Sequence, residues 1–182
     1  MRESQIRKLI VKECQVLGLD GAEFIHEFQI SGGRVRADVV ALKNGVHGIE
    51  IKSKFDNLNR LKHQLAGYAK VFNSVTLVCD SKFEGKIDSV IPDWFGISIA
   101  TESELIVKRR AQLNPLIRPE FILGTLTKKE LAFCATEFIE GVKPATKAAS
   151  FLRFQLNQSL SPKQIYELYE QCLRTRFRDS SE

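Results

Sequence analysis

Three residues whose side chains suit phosphodiester chemistry lie close together in the sequence: Asp38, Glu50 and Lys52. Carboxylates are hard oxygen ligands, which Mg²⁺ and Mn²⁺ prefer. A lysine beside them can orient or deprotonate a water molecule, or stabilise the charge that develops on a phosphate. The set therefore predicts a metal-dependent phosphodiester hydrolase, provided that the three side chains meet in space.

The strands that carry these residues decide whether they meet. Segments 35–42 and 48–53 alternate between apolar and polar residues, as strands do, and the loop 43–45 joins them. A two-residue Asn-Gly turn would pair Lys43 with Val46. In that register the two carboxylates would point to opposite faces of the hairpin.

A three-residue loop gives a different register. A type I turn followed by Gly45 as a left-handed bulge pairs Val39 with Ile49 on an apolar face and Asp38 with Glu50 on a charged face. Because a slip of one residue moves every side chain to the other face, burial favours this register. Opposed carboxylates repel each other, and a divalent cation would turn that cost into a binding site. The alternative is a solvated charged face whose neighbouring charges neutralise one another.

A second pair of residues follows on the next predicted helix, over about 57–72, with Asp56 as its N-cap. Gln64 and Tyr68 are four residues apart and so share a helix face. The alternative for both is packing at the helix edge, where an amphipathic tyrosine is common.

These elements together resemble the PD-(D/E)xK nuclease superfamily, in which an Asp on one strand precedes Glu-x-Lys on its hairpin partner. Asp38 and Glu50-Ile51-Lys52 supply that pattern, although Ala37 stands where the superfamily often has proline. The segment 64–68 is similar to the QxxxY helix of the branch that includes recombination-type exonuclease domains. The resemblance covers about residues 1 to 110 and is closest to small bacterial and phage-borne members.

The resemblance implies a role for each site residue. Asp38 and Glu50, with the backbone carbonyl of Ile51, would hold Mg²⁺ or Mn²⁺. Lys52 would position the attacking water and stabilise the transition state. Gln64 and Tyr68 also have implied catalytic roles. They would orient the site or the nucleic-acid backbone.

Related nucleases often present a further glutamate from the first helix to the metal. Glu3 and Glu13 both lie in the predicted first helix, and we favour Glu3. The alternative is an acidic residue that stabilises the first helical turn. Basic side chains near the site would contact backbone phosphates, or else form a solvated face; these are Arg36, Lys54, Arg60 and Lys62.

Composition limits the class of protein and its partner. The net charge of +5 and the pI of about 9.1 favour an anionic partner such as nucleic acid. No apolar run could span a bilayer, and no signal peptide is recognisable. The four cysteines are scattered singly, which argues against a zinc site or a disulfide framework and fits a reducing cytoplasm.

The resemblance implies an α/β fold with a restriction-endonuclease-like core: a helix, a three-stranded antiparallel meander, a helix and a strand. We expect this core over residues 1–112, a packed linker over 113–126 and a small all-helical C-terminal subdomain over 127–182. The expected elements of the core are a helix at 3–17, a strand at 21–30, a turn at 31–33, a buried parallel strand at 74–80, a short helix at 84–90, a strand at 95–101 and an edge strand at 105–110.

Two capping boxes mark helix starts in the C-terminal region, Thr127 with Glu130 and Ser161 with Gln164, with another helix near 145–158 between them. The tail from Arg174 onwards is expected to fray.

The sequence thus predicts a cytoplasmic, metal-dependent nuclease acting on DNA, with RNA left open as a substrate. A homodimer would suit cleavage of both strands of a duplex. The alternatives are a non-catalytic nucleic-acid-binding or regulatory module on the same fold, and a protein-interaction domain that works through its helical end.

Overall fold

The computed structural model describes residues 1–30 and 35–179, so the predicted turn at 31–33 and the last three residues lie outside the described part. The helices are α1 (Glu3–Lys12), α2 (Leu61–Tyr68), α3 (Pro119–Leu123), α4 (Lys128–Phe138), α5 (Ala149–Ser159) and α6 (Pro162–Asp179). The strands are β1 (Glu23–Ile30), β2 (Val35–Leu42), β3 (Val46–Lys52), β4 (Ser74–Asp80), β5 (Gly96–Ala100) and β6 (Leu105–Arg109).

The six strands form one mixed sheet in the order β1-β2-β3-β4-β5-β6. The first three are an antiparallel meander, β4 and β5 run parallel to β3, and β6 is antiparallel to β5. The chain is therefore a mixed α/β protein. The predictions of a parallel β4 and an edge strand β6 are confirmed.

The β2–β3 hairpin has the predicted register, since Val39 pairs with Ile49 and Leu42 pairs with Val46. The turn differs from the predicted type I form with one left-handed residue. Asn44 has φ 49° and Gly45 has φ 129°, so both take positive φ. Asparagine tolerates the left-handed region better than most residues, which explains why position 44 can take a positive φ.

Apolar side chains from the sheet enter two cores, one on each face. Helix α1 covers one face, where Ile6, Leu9 and Ile10 pack against strand residues such as Val39 and Ile51. Helices α2 to α6 cover the other face. Their buried residues join one hydrophobic cluster with strand residues, and the contributing helix residues include Leu61, Leu65, Tyr68, Ile122, Leu131, Leu152, Ile165 and Leu168.

Several predicted element boundaries are wrong. Helix α2 begins at Leu61 rather than near 57, because Asp56 does not cap it. The Asp56 carboxylate instead accepts hydrogen bonds from the amide and hydroxyl of Ser53, at 2.8 and 2.6 Å. The segment 84–90 forms turns rather than a helix, and α3 lies inside the predicted linker.

The C-terminal region is helical, as predicted, and both capping boxes are formed. The prediction of a fraying tail is wrong for the described part, since α6 continues to Asp179. Arg174 pairs with Glu23 of β1 and with Glu170. The division of the chain into a core, a linker and a helical subdomain stays a prediction. None of the helices in the described part is long and apolar enough to cross a membrane.

Candidate active site

A cavity of about 450 Å³ opens where β2 separates from β3, on the side of the sheet that α2 covers. The Asp38–Glu50 pair predicted by the register does not continue the ladder, whose last pair is Val39–Ile49. The two carboxylates nevertheless line the same cavity. Their neighbours in its wall include Glu3, Arg36, Ile51, Lys52, Arg60, His63 and Gln64.

Glu50 is the most enclosed charged group of the cavity, with 0% of its surface exposed. Tyr68 donates a hydrogen bond of 2.5 Å to its Oε2. The Nζ of Lys52 lies 2.8 Å from its Oε1 as an ion pair. That approach lacks hydrogen-bond geometry, so within the described residues Oε1 accepts no hydrogen bond. This oxygen is therefore charge-paired with Lys52 but keeps lone pairs that a metal ion would be able to share.

Lys52 is 7% exposed and is held from its other side by Gln64. Its Nζ donates to the side-chain oxygen of Gln64 across 2.9 Å. The two halves of the Gln64–Tyr68 pair thus contact different residues of the Glu-x-Lys element, Gln64 the lysine and Tyr68 the glutamate. Both contacts fix a charged side chain whose desolvation is costly.

Tyr68 is fully buried, and its hydroxyl contacts residues of both β2 and β3. It lies 3.3 Å from the carbonyl of Arg36, and it accepts a hydrogen bond of 3.2 Å from the amide of Asp38. Burial, and then the charges of Glu50 and Asp38, raise the pKa of Tyr68 well above its ordinary value. The phenol therefore stays protonated and remains a donor to Glu50.

Asp38 lies beside Glu50 without an ion pair of its own among the described residues. Its Oδ2 accepts a hydrogen bond of 2.7 Å from the amide of Ile51, so this residue touches the site through its N–H. Burial, and then the charge of Glu50, raise the pKa of Asp38 to about 7. A cation bound beside Asp38 would favour its charged form and so lower this pKa.

A second group of carboxylates adjoins Asp38. Single oxygens of Glu3, Glu27 and Asp38 lie within 4.8 Å of one another. Arg7 binds all three residues: it donates to Glu3 at 2.5 Å, to Glu27 at 2.6 Å and to the backbone carbonyl of Asp38 at 2.6 Å. Glu3, which the sequence predicted as a metal ligand, therefore lies at the site. Arg7 and Glu27, which the sequence did not predict, lie beside it.

Glu27 reaches this group through an unusual backbone conformation. Its φ is 57°, in the left-handed region that non-glycine residues rarely adopt. The side chains of the neighbouring strand β2 change faces opposite Glu27. Ala37 packs in the core on the α2 side of the sheet, and Val39 packs in the core on the α1 side. Residues two apart share a face in a regular strand, so β2 is irregular at Asp38.

The four predicted phosphate-contacting residues are all exposed. Arg36 and Arg60 line the cavity, whereas Lys54 and Lys62 do not. Arg36 pairs with Glu27 at 2.7 Å while 63% of its side chain stays exposed. His63 also lines the cavity, and sequence reasoning did not select it.

Comparisons with known proteins place the chain among phage proteins. The model of the family described as bacteriophage P4 protein cII matches residues 1–182. Protein cII of Enterobacteria phage P4 is 29% identical over 140 residues, which are 72% of this chain and 52% of that protein. The chain thus spans about half the length of this curated relative. The predicted association with phage or bacterial proteins agrees with these matches.

A solved structure has a similar fold. It is a protein of unknown function from Silicibacter pomeroyi, with a TM-score of 0.51 and 20% identity. The similarity covers 78% of this chain and 95% of that one. At this identity the likeness concerns the fold alone.

Proposed function

This chain belongs to the bacteriophage P4 protein cII family, and we propose that it is a metal-dependent nuclease that hydrolyses phosphodiester bonds in DNA. The observation that carries the proposal is the meeting of Asp38, Glu50 and Lys52 in one cavity. Gln64 and Tyr68 bind the lysine and the glutamate of this set, so the two predicted motifs are in direct contact. A set of residues that only covered a solvated face would not require a glutamate that is 0% exposed.

The order of elements supports a restriction-endonuclease-like core. Helix α1, the meander β1-β2-β3, helix α2 and the parallel strand β4 follow one another as the resemblance implies. The acidic residue of β2 and the Glu-x-Lys element of β3 lie where these two strands separate. We therefore propose this core for the first part of the chain.

The donor set fits Mg²⁺ or Mn²⁺. Asp38 and Glu50 offer hard carboxylate oxygens, and Ile51 lines the same cavity, where its carbonyl would be the third ligand. Within the described residues the Oε1 of Glu50 accepts no hydrogen bond, and Asp38, whose pKa is raised to about 7 by burial and then by the charge of Glu50, has no ion pair. A bound divalent ion would supply Lewis acidity toward a phosphate oxygen and lower the pKa of a bound water.

The residues of the chain would divide the remaining work. Lys52 would orient the water that attacks phosphorus and stabilise the negative charge that develops on the phosphate. Gln64 and Tyr68 would keep Lys52 and Glu50 in place. In the reaction, a water oxygen bonds to phosphorus while one P–O ester bond breaks, and the products are a phosphate monoester and an alcohol.

A nucleic-acid substrate fits the charge of the surroundings. The chain carries a net charge of +5, and Arg36 and Arg60 flank the carboxylates in the cavity wall. Guanidinium groups beside a phosphodiester site contact the backbone without reading sequence.

Incubation with nucleic acids tests the proposal. The full chain is incubated with linear, circular and single-stranded DNA and with RNA, with Mg²⁺, with Mn²⁺ or with EDTA. We expect DNA cleavage that requires the metal and that Asp38→Ala and Lys52→Ala abolish. Lys163→Ala is the matched control, because this lysine is 86% exposed on α6 and paired only loosely with Glu167.

Two results would overturn the proposal. Cleavage that persists in both site variants would come from a contaminating enzyme. Tight binding without cleavage on every substrate would instead favour a non-catalytic nucleic-acid-binding or regulatory module.

A further inference from the structure

We infer that Phe55 is a stacking platform for an unpaired nucleobase, so that the site takes single-stranded nucleic acid. The inference rests on the proposed function, because it names the substrate of the same site. It begins from an aromatic ring that is 69% exposed although it lies next to the cavity that holds the carboxylates.

The ring lines a second cavity, of about 490 Å³, that adjoins the first. Glu3 lines both cavities. Asp56, the next residue along the chain, lines the cavity that contains Asp38 and Glu50. A strand whose phosphate lies at the metal ion that the carboxylates would hold would therefore carry its neighbouring nucleotide past Phe55.

The backbone that carries Phe55 is held by hydrogen bonds on both sides. The amide of Phe55 donates to the Ser53 hydroxyl at 3.3 Å, and Ser53 is itself bound to the Asp56 carboxylate. Lys82 donates to the carbonyls of Lys54 and Asp56. A fixed backbone that presents an exposed aromatic side chain loses little conformational entropy when a ligand covers the ring.

Basic side chains lie beside the ring. The Nζ of Lys54 lies 5.2 Å from the centroid of the Phe55 ring, and Arg2 lines the same cavity. The acidic residue of that lining, Glu3, is already paired with Arg7. An aromatic face beside basic side chains is the combination with which proteins bind single strands, because each base has a face to stack and each linkage has a phosphate.

The geometry favours a single strand over a duplex. In a duplex each base is already stacked between its neighbours, so it can cover Phe55 only after it has left the stack. An unpaired base needs no such step. Phe55 would therefore contribute to the binding of single strands and leave duplex binding to the phosphate contacts.

Equilibrium binding of the full chain tests the inference. Fluorescence anisotropy is measured with a labelled oligothymidylate of about 12 nucleotides and with a duplex of equal length. Ca²⁺ replaces Mg²⁺, and electrophoresis afterwards verifies that the oligonucleotides are intact. The variants are Phe55→Ala, Phe55→Trp and, as matched control, Phe133→Ala, which removes a ring that is 56% exposed on α4 and lines neither cavity.

We expect Phe55→Ala to weaken single-strand binding roughly 5- to 150-fold, which corresponds to the loss of one stacked base. Phe55→Trp should retain the affinity, and Phe133→Ala should leave it unchanged. Oligothymidylates with one abasic position, moved along the strand, should reveal a position where the loss matches that of Phe55→Ala. Because both changes would remove the same contact, their effects should not add.

Equal effects of Phe55→Ala on both substrates, no effect on either, or no binding by the unmodified chain would overturn the inference. Failure of the proposed function looks different. If the unmodified chain cleaves nothing in Mg²⁺ but shows the Phe55-dependent binding, the nuclease proposal falls and the stacking platform stands. If it cleaves DNA and Phe55→Ala binds single strands normally, the reverse holds.

Discussion

The hydroxyl of Tyr68 donates a 2.5 Å hydrogen bond to Glu50, and both residues are 0% exposed. Helix α2 thereby reaches through the core to one oxygen of the buried carboxylate. The other oxygen faces Lys52. The position of this glutamate therefore depends on a helix that follows it in sequence.

Tyr68→Phe removes the donor and leaves a buried carboxylate oxygen without its hydrogen bond. We expect a loss of about 1 to 3 kcal/mol in the free energy of unfolding, measured with urea. Nuclease turnover should fall more than substrate affinity, since Glu50 and not the substrate loses its partner. Tyr166→Phe on α6 is the control, because Tyr166 lies outside the cavity wall and should leave turnover unchanged. Unaltered stability and turnover in Tyr68→Phe would contradict the assigned role.

Asp38→Asn should make the metal-free protein more stable at alkaline pH. Burial and the charge of Glu50 raise the pKa of Asp38 to about 7, from an ordinary value of 3.8. Between these values the folded state keeps a proton that the unfolded chain has lost, so this carboxyl costs stability as pH rises from about 4 to 7. We expect the variant to gain up to about 4 kcal/mol at pH 8, which is the linkage cost of raising this pKa from 3.8 to about 7, and the gain to vanish near pH 4.

Urea unfolding at a series of pH values, with EDTA or with Mg²⁺, measures this effect. Mg²⁺ should stabilise the unmodified protein at pH 8 and much less at pH 6, where Asp38 must first release a proton. It should not stabilise Asp38→Asn. Asp88→Asn, at an exposed position, serves as control. A variant that Mg²⁺ still stabilises would show that the ion binds elsewhere.

Lys52→Met and Gln64→Ala should differ in the size of their effects. Lys52 would act on the reacting groups, so we expect turnover to fall about 10²- to 10⁴-fold. Gln64 contacts the lysine and not the reacting atoms, so its loss should cost less and should shift the pH profile of turnover. Steady-state cleavage rates across pH measure both. Lys62→Ala, an exposed change on α2, should affect affinity alone. Equal losses in Lys52→Met and Lys62→Ala would contradict the catalytic role of Lys52.

Glu27→Gly and Glu27→Gln separate backbone strain from charge. Both remove the carboxylate that pairs with Arg7 and Arg36, but only glycine relieves the strain of φ 57°. We expect the glycine variant to be about 1 kcal/mol more stable than the glutamine variant in urea unfolding. If the carboxylate serves the site, the affinity for Mg²⁺ should fall in both variants. Equal stability of the two would mean that the backbone at 27 is unstrained.

The sequence predicted those parts of the site that depend on local periodicity. The pairing of Val39 with Ile49 follows from burial, because the other register would expose apolar side chains. The four-residue spacing placed Gln64 and Tyr68 on one helix face, and both contact the Glu-x-Lys element. Local patterns also identified β4 and the two capping boxes.

Features that depend on distant contacts could not be predicted. Asp56 resembles a helix cap, but Ser53 competes for its carboxylate, so α2 begins later. Glu27 reaches Asp38 through strand pairing and a left-handed backbone, neither of which leaves a mark in the sequence. Arg7 joins the site because α1 packs beside β3, which is a tertiary relationship.

The contact between α6 and β1 has a consequence for synthesis of the chain on the ribosome. Arg174 of α6 pairs with Glu23 of β1, and Ile165 and Leu168 share a hydrophobic cluster with Phe28 and Ile30. Strand β1 therefore emerges long before the helix that covers it, and it lies at the edge of the sheet. During that interval its apolar side chains are exposed, and its unpaired backbone edge can pair with other nascent chains. Slow translation of the C-terminal helices would lengthen this exposure and lower the yield of native protein.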